Sequence, residues 1–147
     1  MSVHASTDEV IERVRRHFDD VALGLGLRGP LLKRANTYFD LAYFHGEIGL
    51  EVLVELADFF IYALVFRSSS DGVVPAEYTD DGGRRQKMHV QHVLDHLGIP
   101  HDEEDARLKR LGGSYRNCDE MARCVADLVE RAWPHLAARS EQLFPPA

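Results

Sequence analysis

Residues Glu47 to Leu56 alternate: Ile48, Leu50, Val52, Val54 and Leu56 fall on one side, and Glu47, Gly49, Glu51, Leu53 and Glu55 on the other, which carries the polar residues. A period of two over this length predicts a β-strand with one buried face and is incompatible with an amphipathic helix. Such a strand needs neighbours. Thr37 to Phe44 precedes it and is rich in aromatic residues, and His45-Gly46 suits a two-residue hairpin turn between the two. Phe59 to Arg67 follows a turn at Ala57-Asp58 and is apolar on both faces, as a covered or central strand would be. After a loop from Ser68 to Gly72, Val73 to Thr79 reads as a short fourth strand, with Pro75 marking it as an edge.

Helical periodicity flanks this block. Val10, Ile11, Val14, Phe18, Val21, Ala22 and Leu25 recur at helical spacing after a Ser6…Glu9 capping box, and the glycines from Gly24 onward, with Gly29-Pro30, end that helix. Asp80-Asp81-Gly82-Gly83 is a turn. Met88, Val90, Val93, Leu94 and Leu97 then supply one face of a helix that stops at Gly98-Ile99-Pro100. A charged helix is predicted over Asp102 to Leu111. A last helix follows the Asn117…Glu120 capping box, carries the stripe Met121, Cys124, Val125, Leu128, Val129, Ala132 and Leu136, and should kink or end at Pro134. The tail at Pro145-Pro146 is expected to fray. The predicted fold is α+β: an antiparallel meander of three to four strands, preceded by one helix and followed by two to three, in a single domain spanning 1–147.

The 147 residues carry a net charge of −7 with histidine neutral. That excludes a general nucleic-acid binder, which needs a basic surface, and it suits a basic partner. Met1 to Thr7 lacks the apolar core of a signal peptide, and the longest apolar run, Phe59 to Phe66, is too short to span a bilayer. Cys118 and Cys124 lie six residues apart on one predicted helix and cannot easily bridge. The expectation is a cytoplasmic protein with no membrane contact. Only three lysines stand against the many arginines, a composition that hints at a bacterial source.

The acidic hairpin is the most informative chemical feature. A loop at His45-Gly46 would set Phe44 opposite Glu47 and Asp40 opposite Glu51, gathering Asp40, Glu47, Glu51 and Glu55 beside Tyr38. Like charges directly across a strand pair are destabilising. Either Arg67 or another arginine relieves them on a solvated face, or the face serves a basic partner. The histidine helix is the second feature. His89, His92 and His96 lie close on a helical wheel, and His92 and His96 have i, i+4 spacing. Val93 stands where a zinc protease motif requires Glu, and no third ligand is evident, so no metal is expected. Cys118 would sit in the first turn of a helix, where the dipole lowers a thiol pKa. The aromatic residues Tyr38, Tyr43, Phe60 and Tyr62 read as core or as pocket lining. Gly24-Leu25-Gly26 lacks the context of a nucleotide-binding loop, so no cofactor is expected.

Three functional classes fit. The first is a small acidic inhibitor, such as an immunity-type protein that occludes the basic site of a toxin, with spaced carboxylates imitating a phosphate backbone. The second is a small enzyme using histidine, carboxylate and a metal. The third is a dimeric regulatory or structural adaptor. The acidic hairpin favours the first.

Overall fold

The computed structural model describes residues 6–68 and 72–145. Part of the predicted Ser68–Gly72 loop, Pro146 at the end of the tail and most of the N-terminal stretch lie outside the described residues. The chain forms helix α1 (Thr7–Gly24) and then strands β1 (Arg28–Arg34), β2 (Tyr38–His45), β3 (Ile48–Glu55), β4 (Phe60–Arg67) and β5 (Lys87–His89). Helices α2 (Val90–Leu97), α3 (Asp102–Leu111) and α4 (Cys118–Leu143) follow, with a 3-10 turn at Tyr115–Asn117 before α4. The five strands make one antiparallel sheet in chain order, so every strand pairs with its sequence neighbour. This is the predicted α+β meander, with five strands rather than three to four.

The alternation in β3 separates two environments. Ile48, Leu50, Val52 and Val54 face the helices, beside Phe39, Leu41 and Tyr43 of β2 and Ile61, Ala63 and Val65 of β4, all buried. The helical stripes complete this core. Val14 and Phe18 of α1, Val93 and Leu94 of α2, and Met121, Leu128, Val129 and Leu136 of α4 are essentially inaccessible. Burying a side chain of this kind stabilises by about 1.5–3 kcal/mol. α1 begins as its capping box predicts, with the Ser6 hydroxyl accepting from the Glu9 amide at 3.2 Å.

Several details differ from expectation. β1 runs straight through Gly29-Pro30, which was expected to be a break. The pairing register shifts between Arg28 and Leu31, and an edge strand tolerates both a proline and an irregularity there. Val73 to Thr79 forms no strand; its one ladder contact is an isolated bridge from Thr79 to Arg85. The strand beside β4 is Lys87–His89 instead. Met88 pairs with Val65 there, and the helix expected to contain it starts at Val90.

The hairpin loop is Gly46-Glu47, one residue later than predicted, because His45 still pairs with Ile48. Gly46 adopts φ 61°, the left-handed conformation that a tight turn requires. Asn117 stands at the N-terminus of α4, but its side chain does not cap. Its Nδ2 donates to the Leu111 carbonyl at 2.9 Å and ties α4 to the end of α3. α4 continues past Pro134, and its non-helical residue is Arg139. Pro134 and Glu130 are both on the exposed side, so the carbonyl that the proline frees can meet water while Trp133 and Leu136 stay packed.

Candidate functional site

The second face of the sheet carries the chemistry. Side chains at Lys33 of β1, Tyr38, Asp40 and Ala42 of β2, Glu51, Leu53 and Glu55 of β3, Phe60, Tyr62 and Leu64 of β4, and Lys87 and His89 of β5 share it by strand parity. The loop from β3 to β4 has four residues, Leu56 to Phe59, since Glu55 pairs with Phe60. Its even length puts Phe60 and Tyr62 on the carboxylate face, the same parity that the expected turn at Ala57-Asp58 produces.

Asp40 is not opposite Glu51. The one-residue shift in the turn moves the register by two, so Asp40 pairs with Leu53, and Glu51 pairs with Ala42. A shift of two preserves the face, and the two carboxylates meet diagonally, close enough to share a hydrogen bond when Asp40 is protonated. Both are buried, Asp40 at 7% exposure and Glu51 at 6%. This is not the solvated surface pictured from sequence.

Their partners differ. Lys87, itself buried, places Nζ 3.2 Å from Glu51 Oε1 and lies 5.6 Å from the centre of the Tyr78 ring. Asp40 feels Lys33, its exposed cross-strand neighbour, and more weakly Lys87, but among the described residues no cation reaches it closely enough for an ion pair. Burial, with the Glu51 charge added to it, raises the Asp40 pKa to about 6, and Lys33, with Lys87, offsets this only in part. Arg67, expected to relieve the repulsion, is engaged elsewhere. It donates to the carbonyl oxygens of Phe144 and Pro145.

The carboxylates are buried because the chain after β4 returns across this face. Val74, Pro75, Ala76 and Tyr78 join Leu31, Leu53 and Leu64 in lining a partly open cavity of about 790 Å³, with Asp40, Glu51 and Lys87 also in its lining. The segment is anchored at Tyr78. Its carbonyl accepts from the Gln86 amide at 2.7 Å, and its hydroxyl lies 3.2 Å from His89 Nε2. Glu55, Tyr38 and Asp58 also line the cavity, Glu55 and Asp58 being exposed. Apolar side chains make up much of the wall, and the charged groups Lys33, Asp40, Glu51, Glu55, Asp58 and Lys87 are set among them, a mixture found in small-ligand pockets.

Of the residues predicted from sequence, the structure brings together Asp40, Glu51, Glu55 and Tyr38. Glu47 stands apart at the hairpin tip, in a shallow depression with Arg67 and Phe144. Lys33, Lys87 and the 72–78 segment were missed. The apolar run Val73-Val74-Pro75 was the available signal, but it reads equally as an edge strand, and only the fold shows that its segment crosses the sheet face. His89 ends β5, while His92 and His96 are exposed on α2. Burial, then the neighbouring His92 and Lys87, lowers the His89 pKa. Among the described residues no three His, Cys, Asp or Glu side chains converge as metal ligands would. Cys118 is fully buried, and burial pushes its thiol up to about 12, the opposite of the expected dipole effect; the adjacent Asp119 adds to the rise. It is not an activated nucleophile. Cys124 is also a buried free thiol.

No helix among the described residues is long and apolar enough to cross a membrane. No family model matches the chain, and no curated protein or solved structure matches it.

Proposed function

We propose that this chain is a binding protein that works through the cavity over the second face of its sheet. The observation that carries this reading is the cavity itself: about 790 Å³, with apolar walls around two buried carboxylates and one buried lysine. Charged groups cost free energy when buried, and a sheet face that served only as support would be filled with apolar side chains. An immunity-type inhibitor of a basic toxin is the form of this reading that suits the net charge of −7. Burial of Asp40 and Glu51 changes its mechanism. A partner would not lie across an acidic surface; it would insert a group between Leu31 and the 72–78 segment.

The test uses N-phenyl-1-naphthylamine, a neutral apolar dye whose fluorescence rises on leaving water. Saturable binding of about one dye per chain is expected. Leu53→Trp, which fills the cavity from a half-buried position, should weaken it about tenfold or more without lowering the melting temperature, because the indole occupies space that is empty in the parent. Absence of saturable binding, or equal binding by the folded variant, would overturn the reading.

A further inference from the structure

The cavity lining is charge-imbalanced in a directed way. Two carboxylates are buried there and only one ammonium, that of Lys87, is buried with them. Lys87 is committed to Glu51 at 3.2 Å and to the face of Tyr78. Asp40 is left beside the like charge of Glu51 with no cation at ion-pair distance among the described residues, since Lys87 and the exposed Lys33 act on it only from farther away. Exposed Glu55 and Asp58 add two more negative charges to the lining. The surrounding walls, Leu31, Leu53, Leu64 and Val74, are apolar. A ligand matching this arrangement is apolar along its length and positive at the end that reaches Asp40.

We propose that the cavity takes an alkyl or aryl chain bearing one protonated amine, its ammonium seated on the Asp40 carboxylate and its stem against the leucines. The proposal rests on the binding reading above and names the chemistry of what is bound. An ammonium over Asp40 completes a pattern in which each buried carboxylate has one close cation, and charge-assisted hydrogen bonds of this kind are the strong ones. It also takes the place of a proton. Below about pH 6 Asp40 holds that proton itself, and seating the ammonium then requires its release to solvent. The amine can belong to a free small molecule or to a lysine side chain of a partner.

The experiment titrates the full chain with n-hexylamine, n-hexanol and hexanoate at pH 7, followed by displacement of the neutral dye. Hexylamine is expected to bind at least about tenfold more tightly than hexanol, and hexanoate more weakly than either. Hexylamine affinity should fall about tenfold between pH 7 and pH 5, as protonation near pH 6 dictates, while hexanol affinity stays level. Asp40→Asn should abolish the preference for the amine and leave dye binding intact, which shows that the cavity persists in the variant. A tripeptide arm separates the sources. Acetyl-Leu-Lys-Leu-amide binding more tightly than hexylamine points to a partner's lysine, and the reverse order points to a free amine; either order supports the amine class. If the dye binds but hexylamine has no advantage over hexanol, the inference fails and the binding reading stands. If hexanoate binds best, Lys33 and Lys87 define the ligand and the inference is overturned. If the dye does not bind, the binding reading itself fails.

Discussion

Burial beside Glu51 raises the Asp40 pKa to about 6 from an ordinary value of 3.8, and this ties a single side chain to the stability of the chain. The folded state holds the Asp40 proton more tightly than the unfolded state does. Stability from this group is therefore greatest below about pH 4, falls as the pH rises, and is fully lost above about pH 6. The loss is on the order of 3 kcal/mol and belongs to the carboxylate pair rather than to Asp40 alone. Asp40→Asn removes the titration while keeping the shape and a donor for Glu51. It should raise the melting temperature at pH 7.5 and leave it unchanged near pH 4. Glu51→Gln should act in the other direction, because it strands Lys87 as a buried cation without its partner. Breaking such a pair costs about 3–5 kcal/mol. Equal effects of the two substitutions in thermal melts would show that the pair does not divide its roles this way. At this scale the sequence was legible in part. Parity placed Asp40 and Glu51 on one face and survived the two-residue change of register. Burial was not legible, since it depends on a segment more than twenty residues downstream of Glu51 folding back over the sheet.

Between elements, the sharpest contact outside the cavity joins α2 to α3. His101, 7% exposed, stands between them with Nε2 2.6 Å from Asp95 Oδ1 and Nδ1 2.6 Å from Asp105 Oδ2. The second contact is close but out of line for a hydrogen bond, so it acts mainly as an ion pair when the ring is protonated. Burial lowers the imidazole pKa, and the two aspartates more than offset this, leaving it raised. A raised histidine stabilises fully below its unfolded pKa, about 6.5, and the contribution fades as the pH climbs through the higher folded value. The wild type should lose melting temperature from about pH 6 upward, and His101→Gln should be flatter over the same range. Parallel profiles would mean that the clasp contributes nothing. Neither this clasp nor β1 announced itself in the sequence. β1 is exposed along nearly its whole length, so no alternation marks it, and β5 has only three residues, too few for a period to register. The helices and β3 were legible because an apolar face recurs in them at a regular period, and β2 and β4 because their apolar and aromatic residues run together between turn signals, although both faces of all three strands are largely buried.

Across the whole molecule, the sheet has two edges and treats them differently. β5 is short and continues directly into α2, which removes most of that edge. β1 is long and exposed, with Leu31 at 60% and Leu32 at 41% accessible. An edge of this kind invites pairing with a second copy. Arg28, Lys33, Arg34 and Pro30 oppose it. The antiparallel register that brings Leu31 of two copies together also sets Arg28 of each against Arg34 of the other, and like charges directly across a strand pair are destabilising. Pro30 removes a donor from the same edge. On this reading the arginines protect the edge of an otherwise acidic protein, which the oligomeric state tests. Self-association through β1 would also crowd Leu31 and Leu32, which line the cavity. The wild type should scatter light as one chain. The double substitution Arg28→Thr, Arg34→Thr should shift it toward a dimer, more weakly at pH 7 than the loss of two like-charge contacts alone would suggest, because Asp8, 2.7 Å from Arg34, already offsets part of that charge in the wild type. If the doubly substituted chain remains a monomer at millimolar concentration, proline and the register shift at Arg28 suffice to close the edge, and the arginines have another purpose. If the wild type is already a dimer that dissociates in high salt, the edge is an interface rather than a guarded margin.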